Sequence, residues 1–459
     1  MTNLSSLRVK GYCLLYLPFA ALCSVGPVTK AAATSPLPIE VKAELDRDQP
    51  MAGESQRAYL RVVIAGARRP DARRAPMNIA LVIDRSGSMS ADGRMDNARR
   101  AAQMAVDQLG RDDILSEVSY DDRVEVDAPA TKVTDPRVFK DRIARLTPRG
   151  STAIHAGLLA GANEIRKFKS RERVNRIILL SDGLANIGPS RPADFVSLGR
   201  ELASEGITVS TIGLGNGYNE DLMAGLARSA DGSHVYVQES ADLAGFMTRE
   251  FNDALGVIGQ QVEVIITVRP GIRPMRSLGR DAEIRGERLV YKVGSLIGGV
   301  EQVLLAELEL AADASQAEGA LASIEVGYLD PTDGRRMTVS TAARGRFTGD
   351  REASEKSVNA EVMRDVATLL SREARQEAVR LRDAGRAAEA NRLFEKNAAF
   401  VREQQSKLPG GTAYAPLRDE LKANETAASP AAQSSEGWSK ARKQQREFDV
   451  SYSGAAQRF

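Results

Sequence analysis

The chain has 459 residues, 63 Lys and Arg against 61 Asp and Glu, and two cysteines, Cys13 and Cys23. That length suits two or three domains around ample cores, and the near-neutral balance excludes the electrostatic footprint of a nucleic-acid binder. Both cysteines fall in an N-terminal stretch with the pattern of a removable segment, so no disulfide framework is expected in the remainder.

Residues 1–33 carry Arg8 and Lys10, an apolar region from Tyr12 to Val25, and Ala31-Ala32-Ala33. This is the pattern of a secretory signal with an A-x-A cleavage site, and it predicts an exported protein, periplasmic or secreted. The apolar run is short for an uncleaved anchor, and Leu22 before Cys23 is larger than the small residue of a lipoprotein signal. Losing Arg8, Lys10 and Lys30 takes the formal charge from +2 to −1. Residues 34–75 hold two β-like runs, 39–45 and 58–64, followed by a short basic loop.

Residues 76–256 alternate strands and helices. The stretch from Met77 to Ser88, M-N-I-A-L-V-I-D-R-S-G-S, reads as a strand buried on both faces that stops at Asp84 and presents Ser86 and Ser88 on a tight turn. Helical spacing over 97–109 follows. Runs at 114–120 and 123–126 predict paired strands about Asp121-Asp122, the second an antiparallel edge. Helices are expected at 138–146, 153–168, 195–204, 220–227 and 243–255, and strands at 174–180, 207–212 and 234–237. Such alternation means a doubly wound sheet with helices on both faces. Residues 257–347 switch to period two, with strands expected at 262–268, 288–293, 303–310, 322–328 and 336–340 and a hairpin turn at 330–334. These suggest a β-sandwich, which the strands of 34–75 are expected to join. Residues 352–407 read as an αα-hairpin packed on the sandwich, and 411–459, rich in Ala, Ser, Gln and Lys, as a disordered tail. The expected fold is therefore α/β, a doubly wound, mostly parallel sheet inserted in a β-sandwich, with a C-terminal α-helical hairpin.

Asp84, Ser86 and Ser88 sit at the carboxyl end of a strand, where open α/β sheets bind ligands. One carboxylate and two hydroxyls make a cluster of hard oxygen donors that suits Mg²⁺ or Mn²⁺; an Asx turn with a helix cap is the alternative. Two later stretches bear on the choice, Gly150-Ser151-Thr152 before a helix and Ile177-Ile178-Leu179-Leu180-Ser181-Asp182-Gly183, a second buried strand ending in aspartate. Together the three loops resemble the metal-ion-dependent adhesion site of von Willebrand factor A domains. The resemblance implies that Ser86 and Ser88 bind the metal directly, that Thr152 binds directly or through water, and that Asp84 and Asp182 hold coordinating waters. Mg²⁺ is the cation it implies, with Mn²⁺ or Ca²⁺ as substitutes. The flanking layout and the stretches from Ser181 to Asn186 and from Tyr218 to Leu222 are similar to a bacterial exported subgroup, itself similar to inter-α-trypsin-inhibitor heavy chains and calcium-activated chloride channel homologues. What this implies is metal-dependent binding of a protein partner through an acidic side chain, without catalysis. A metal-assisted hydrolase and an envelope-assembly scaffold with a structural metal are the alternatives.

Other motifs carry less. Gly213-Leu214-Gly215-Asn216-Gly217-Tyr218 breaks the dinucleotide pattern at Tyr218 and reads as a turn. Neither histidine, His155 or His234, begins a zinc-protease motif, and Ser86 and Ser88 lack the G-x-S-x-G context of a nucleophile.

Overall fold

The computed structural model describes residues 39–67, 74–312 and 319–429 and, beyond these, residues 432, 434, 437–443 and 445. The signal expected over residues 1–33 lies outside the described residues. The described chain opens with β1 (Ile39–Leu45) and β2 (Gln56–Gly66), paired antiparallel. β2 alternates, with Ala58, Leu60, Val62 and Ile64 in one buried core and Tyr59 and Arg61 on the other side.

The chain then builds β3 (Met77–Asp84), a 3-10 stretch (Gly87–Gly93), α1 (Arg94–Val106), β4 (Ile114–Tyr120), β5 (Val124–Lys132), α2 (Pro136–Ile143) and α3 (Ile154–Lys167). It continues through β6 (Val174–Ser181), α4 (Pro192–Ser204), β7 (Thr208–Leu214), α5 (Glu220–Ser229), β8 (His234–Val237) and α6 (Leu243–Leu255). The six strands form one sheet in the order β5-β4-β3-β6-β7-β8, parallel except for the antiparallel edge β5. Every residue of β3 and β6 is buried, as expected of central strands covered on both faces. One face takes α1, α2 and α6 through Met95, Phe139 and Phe251; the other takes α3, α4 and α5 through Leu158, Phe195 and Leu222.

Beyond this domain come β9 (Val257–Val268), β10 (Ile272–Leu278), β11 (Glu283–Arg285), β12 (Arg288–Ile297), β13 (Glu301–Leu310), β14 (Gly319–Leu329) and β15 (Arg336–Gly345). They form two antiparallel sheets, β1-β2-β13-β10 and β11-β12-β9-β14-β15. The sheets share one core, in which Leu60, Ile64 and Leu308 meet Val264, Tyr291 and Tyr328. Because β2 lies between β1 and β13, strands made before the central domain pair with a strand made after it. The central domain is inserted in the sandwich.

Three helices follow, α7 (Arg351–Lys356), α8 (Ala360–Asp383) and α9 (Ala387–Lys407). Val362, Val366 and Leu369 of α8 cover Leu278 and Leu305 on the outer face of the first sheet. After them the structure departs from the disordered tail expected from residue 411. α10 (Ala415–Ala428) packs Leu417 against Ala367 and Val401. It also buries Glu420, whose carboxylate accepts from Arg372 Nε at 3.2 Å and Arg375 Nε at 3.1 Å. Farther on, residues 437–443 are helical. Trp438 packs at a tilt against Phe394, with ring centroids 6.3 Å apart, and lies under the Arg382 guanidinium at 4.4 Å. Buried charge pairs and one aromatic add to this apolar packing, and composition does not reveal them.

Candidate metal centre

Parallel pairing aligns the ends of β3 and β6. Ile83 sits opposite Leu180, so Asp84 and Ser181 leave the sheet side by side. β4 lies on one side of β3 and β6 on the other, making the gap between β3 and β6 the point where the chain's winding reverses and where such sheets open a crevice. The Asp84 carboxylate accepts the Ser181 hydroxyl at 2.6 Å through Oδ2 and the Ser86 N–H at 2.8 Å through Oδ1. The second bond is an Asx turn.

The two serine hydroxyls do not complete a helix cap. Ser86 heads the 3-10 stretch with no side-chain capping bond. Its Oγ lies 3.0 Å from Ser88 Oγ, and Ser88 Oγ donates to Asp182 Oδ1 at 2.6 Å. The third loop is drawn in by backbone bonds. Gly87 N–H donates to Gly150 O at 3.1 Å, and Ala153 N–H to Asp121 O at 2.8 Å. Gly150 has φ +66°, and a Cβ there would meet the Asp122 carboxylate at 2.3 Å, so glycine is required at this close approach. Thr152 is fixed by its N–H, which donates to Asn186 Oδ1 at 2.7 Å. Thr152 Oγ1 and Ser88 Oγ lie 3.3 and 3.4 Å from the point where a Cβ on Gly183 would sit. All five residues singled out in the sequence, Asp84, Ser86, Ser88, Thr152 and Asp182, therefore stand around one small volume.

Arg85, between the aspartate and the first serine, points away and anchors the turn. Its Nε lies 2.9 Å from Asp121 and its Nη2 2.7 Å from Glu125. Arg149 holds the same two carboxylates at 2.8 and 2.6 Å.

Asp84 is fully buried, and its pKa is pushed up to about 6, chiefly by burial and in part by the neighbouring charge of Asp182. Two buried carboxylates at one sheet end favour a cation between them. Asp182 also meets a fixed cation: Arg94 Nη1 donates to its Oδ2 at 2.6 Å. The sequence pattern did not reveal Arg94, Ser181 or Asn186 as members of the site. Beside Arg94 a cavity of about 350 Å³ opens, lined by Asp92, Gly215, Asn216, Gly217, Glu239 and Ser240 among others.

The donor set fits a small hard cation. Two oxygens cis in an octahedral shell around Mg²⁺, each about 2.1 Å from the ion, lie about 3.0 Å apart, which is the separation of the Ser86 and Ser88 hydroxyls. Among the described residues there is no cluster of three or more His, Cys, Asp and Glu able to hold a metal; the donors here are mostly hydroxyls. His234 is buried between Thr211 Oγ1 at 2.9 Å and the Tyr218 hydroxyl at 3.2 Å. His155 packs edge-on against Phe195 with ring centroids 5.5 Å apart. Among the described residues no helix is long and apolar enough to cross a membrane.

The family model of the von Willebrand factor type A domain matches residues 78–249. The uncharacterized protein sll0103 of Synechocystis sp. is 29% identical over 62% of this chain and 69% of its own length. The uncharacterized protein YfbK of Escherichia coli is 27% identical over 61% of this chain, and the match spans about half of it, 49%. Inter-alpha-trypsin inhibitor heavy chain H3 of Homo sapiens (27% identical, 37% of this chain, 20% of that protein) and calcium-activated chloride channel regulator 1 of Bos taurus (31%, 30% and 15%) are also related. Among solved structures, the von Willebrand factor type A protein from Catenulispora acidiphila superposes with a TM-score of 0.70 over 92% of this chain and 97% of that one. At 17% identity that likeness concerns the fold. The strand order, the three oxygen-bearing loops and these matches agree: residues 78–249 are a von Willebrand factor type A domain.

Proposed function

We propose that Asp84, Ser86, Ser88, Thr152 and Asp182 hold a divalent cation, Mg²⁺ first and Mn²⁺ or Ca²⁺ in its place, and that the loaded site binds an acidic side chain of a partner protein. Domains of this family commonly mediate metal-dependent protein–protein interaction. The observation that carries the reading is the orientation of the serines, whose hydroxyls face each other and Asp182 instead of capping the turn they head. Ser86 and Ser88 would hold the ion directly, Thr152 directly or through water, and Asp84 and Asp182 through water. The bound ion supplies a Lewis-acidic position for a carboxylate, since its direct donors are neutral hydroxyls and the two aspartates act through water. The reading uses neither histidine: His234 is enclosed by Thr211 and Tyr218, and His155 rests on Phe195. The pattern of residues 1–33 supports placing the interaction in the cell envelope or outside the cell.

The test is calorimetric Mg²⁺ titration alongside capture of partners from envelope extract. Asp84→Ala is expected to abolish Mg²⁺ binding and leave the fold intact. Thr152→Ala is expected to weaken capture more than metal binding, by about 2–5 kcal/mol if a direct charge-assisted contact is lost. Capture that persists in chelator, or with Asp84→Ala, overturns the reading.

A further inference from the structure

We propose that Arg94 sets the charge of the metal centre, weakening its hold on the cation and leaving the loaded site positive toward a carboxylate. This rests on the metal reading above. Arg94 opens α1, and its guanidinium meets Asp182 at 2.6 Å, where the Asp182 side chain is fully buried and that of Arg94 is 19% exposed. The other oxygen of Asp182 accepts from Ser88. One carboxylate is thus shared between a fixed cation and a hydroxyl of the site. The second ion pair of Arg94, to Asp92 at 3.2 Å, reaches a side chain that is 79% exposed; water screens it, whereas the Asp182 contact is shielded. The guanidinium lies beside Gly215, where a Cβ would come within 3.2 Å of Arg94 Nη2.

The charges then decide the consequence. Two ionised aspartates and a divalent ion sum to zero, and neutral hydroxyls change nothing. Adding Arg94 makes the loaded centre net positive. A carboxylate arriving at the open position meets an attractive field that a neutral centre would lack. The same guanidinium repels the incoming ion, so metal affinity falls as carboxylate affinity rises. Arg94 also lines the 350 Å³ cavity, so its guanidinium is reachable from outside the chain.

The experiment compares wild type, Arg94→Gln and Arg94→Lys as full chains. Mg²⁺ alone is titrated by calorimetry. Acetate is then titrated onto protein loaded with Mn²⁺ in place of Mg²⁺, read by water-proton relaxation. Arg94→Gln is expected to bind Mg²⁺ roughly tenfold more tightly and acetate several-fold more weakly. Arg94→Lys, which keeps the charge, is expected to stay close to wild type in both. Thermal unfolding in chelator verifies that each variant is folded. Mg²⁺ binding no tighter in Arg94→Gln, or acetate binding no weaker, overturns the role given to Arg94. Absence of Mg²⁺ binding by wild type overturns the metal reading and this inference together.

Discussion

Replacing Glu420 by alanine leaves two buried guanidiniums without the carboxylate they share. Glu420 and Arg375 have fully buried side chains, and that of Arg372 is 4% exposed. Ser371 Oγ adds a bond to Glu420 Oε2 at 3.4 Å, and Asn424 Nδ2 donates to the backbone carbonyl of Glu420 at 2.8 Å. Removing one partner of a buried ion pair costs about 3–5 kcal/mol, because the remaining charge stays desolvated. Two cations bear on this one carboxylate, and Arg375 Nη1 keeps Gln445 Oε1 as an acceptor, so a loss within that range is expected. Urea unfolding followed by circular dichroism measures the loss, and hydrogen exchange locates it in α8 and α10. A control follows from the same physics: exchanging Arg372, Arg375 and Glu420 together for apolar residues of similar volume should be nearly neutral. If Glu420→Ala loses less than about 1 kcal/mol and α10 keeps its protection, the charge cluster does not hold the helical layer together and the argument fails.

Two further predictions concern stability. Burial lowers the pKa of His234 from 6.5 to about 4, so on acidification the unfolded chain takes up this proton first. The stabilisation is complete above pH 6.5 and is lost as pH falls toward 4, reaching about 2 kcal/mol at pH 5; His234→Gln should flatten that part of the stability–pH curve, and an unchanged curve would refute the assignment. Ending the chain after Gly411 removes Glu420, Trp438, Arg442 and Lys443 together, so its unfolding midpoint in urea should fall further than that of Glu420→Ala; an unchanged midpoint would mean the C-terminal segment is dispensable.

The parts legible in the sequence were those written in hydropathy and in fixed spacing. β3 and β6 are unbroken apolar runs ending in aspartate, and burial on both faces is their direct consequence. The three loops were legible because two follow such runs and the third precedes an apolar helix. β10 was not, because Pro274 and two arginines interrupt its alternation. It tolerates them as an edge strand, paired only with β13 in its sheet and irregular between Pro274 and Arg276. α10 was missed because its buried side chains include Glu420 and Asn424, which hydropathy counts as solvent-facing. Arg94 was missed for a related reason: a helix-opening arginine reads as surface, and only the fold shows that it turns inward to Asp182.

The insertion also has a mechanical side. The chain enters the central domain after β2 and leaves it into β9, and the two junctions are adjacent: a Cβ on Gly66 would strike the Ile258 side chain, and the β12–β13 turn bonds both, Gly298 N–H to Gly256 O at 2.8 Å and Gly299 N–H to Gly66 O at 2.7 Å. β2 is hydrogen-bonded on both sides in one sheet, and β9 on both sides in the other. A pull applied at Asp84, Ser86, Ser88, Thr152 and Asp182 while the sandwich is held would therefore enter as tension along an interior strand of each sheet. Resistance along a strand loads many cross-strand bonds at once, whereas peeling an edge breaks them one after another. How long the sandwich survives such a load is set by its unfolding rate, not by its equilibrium stability.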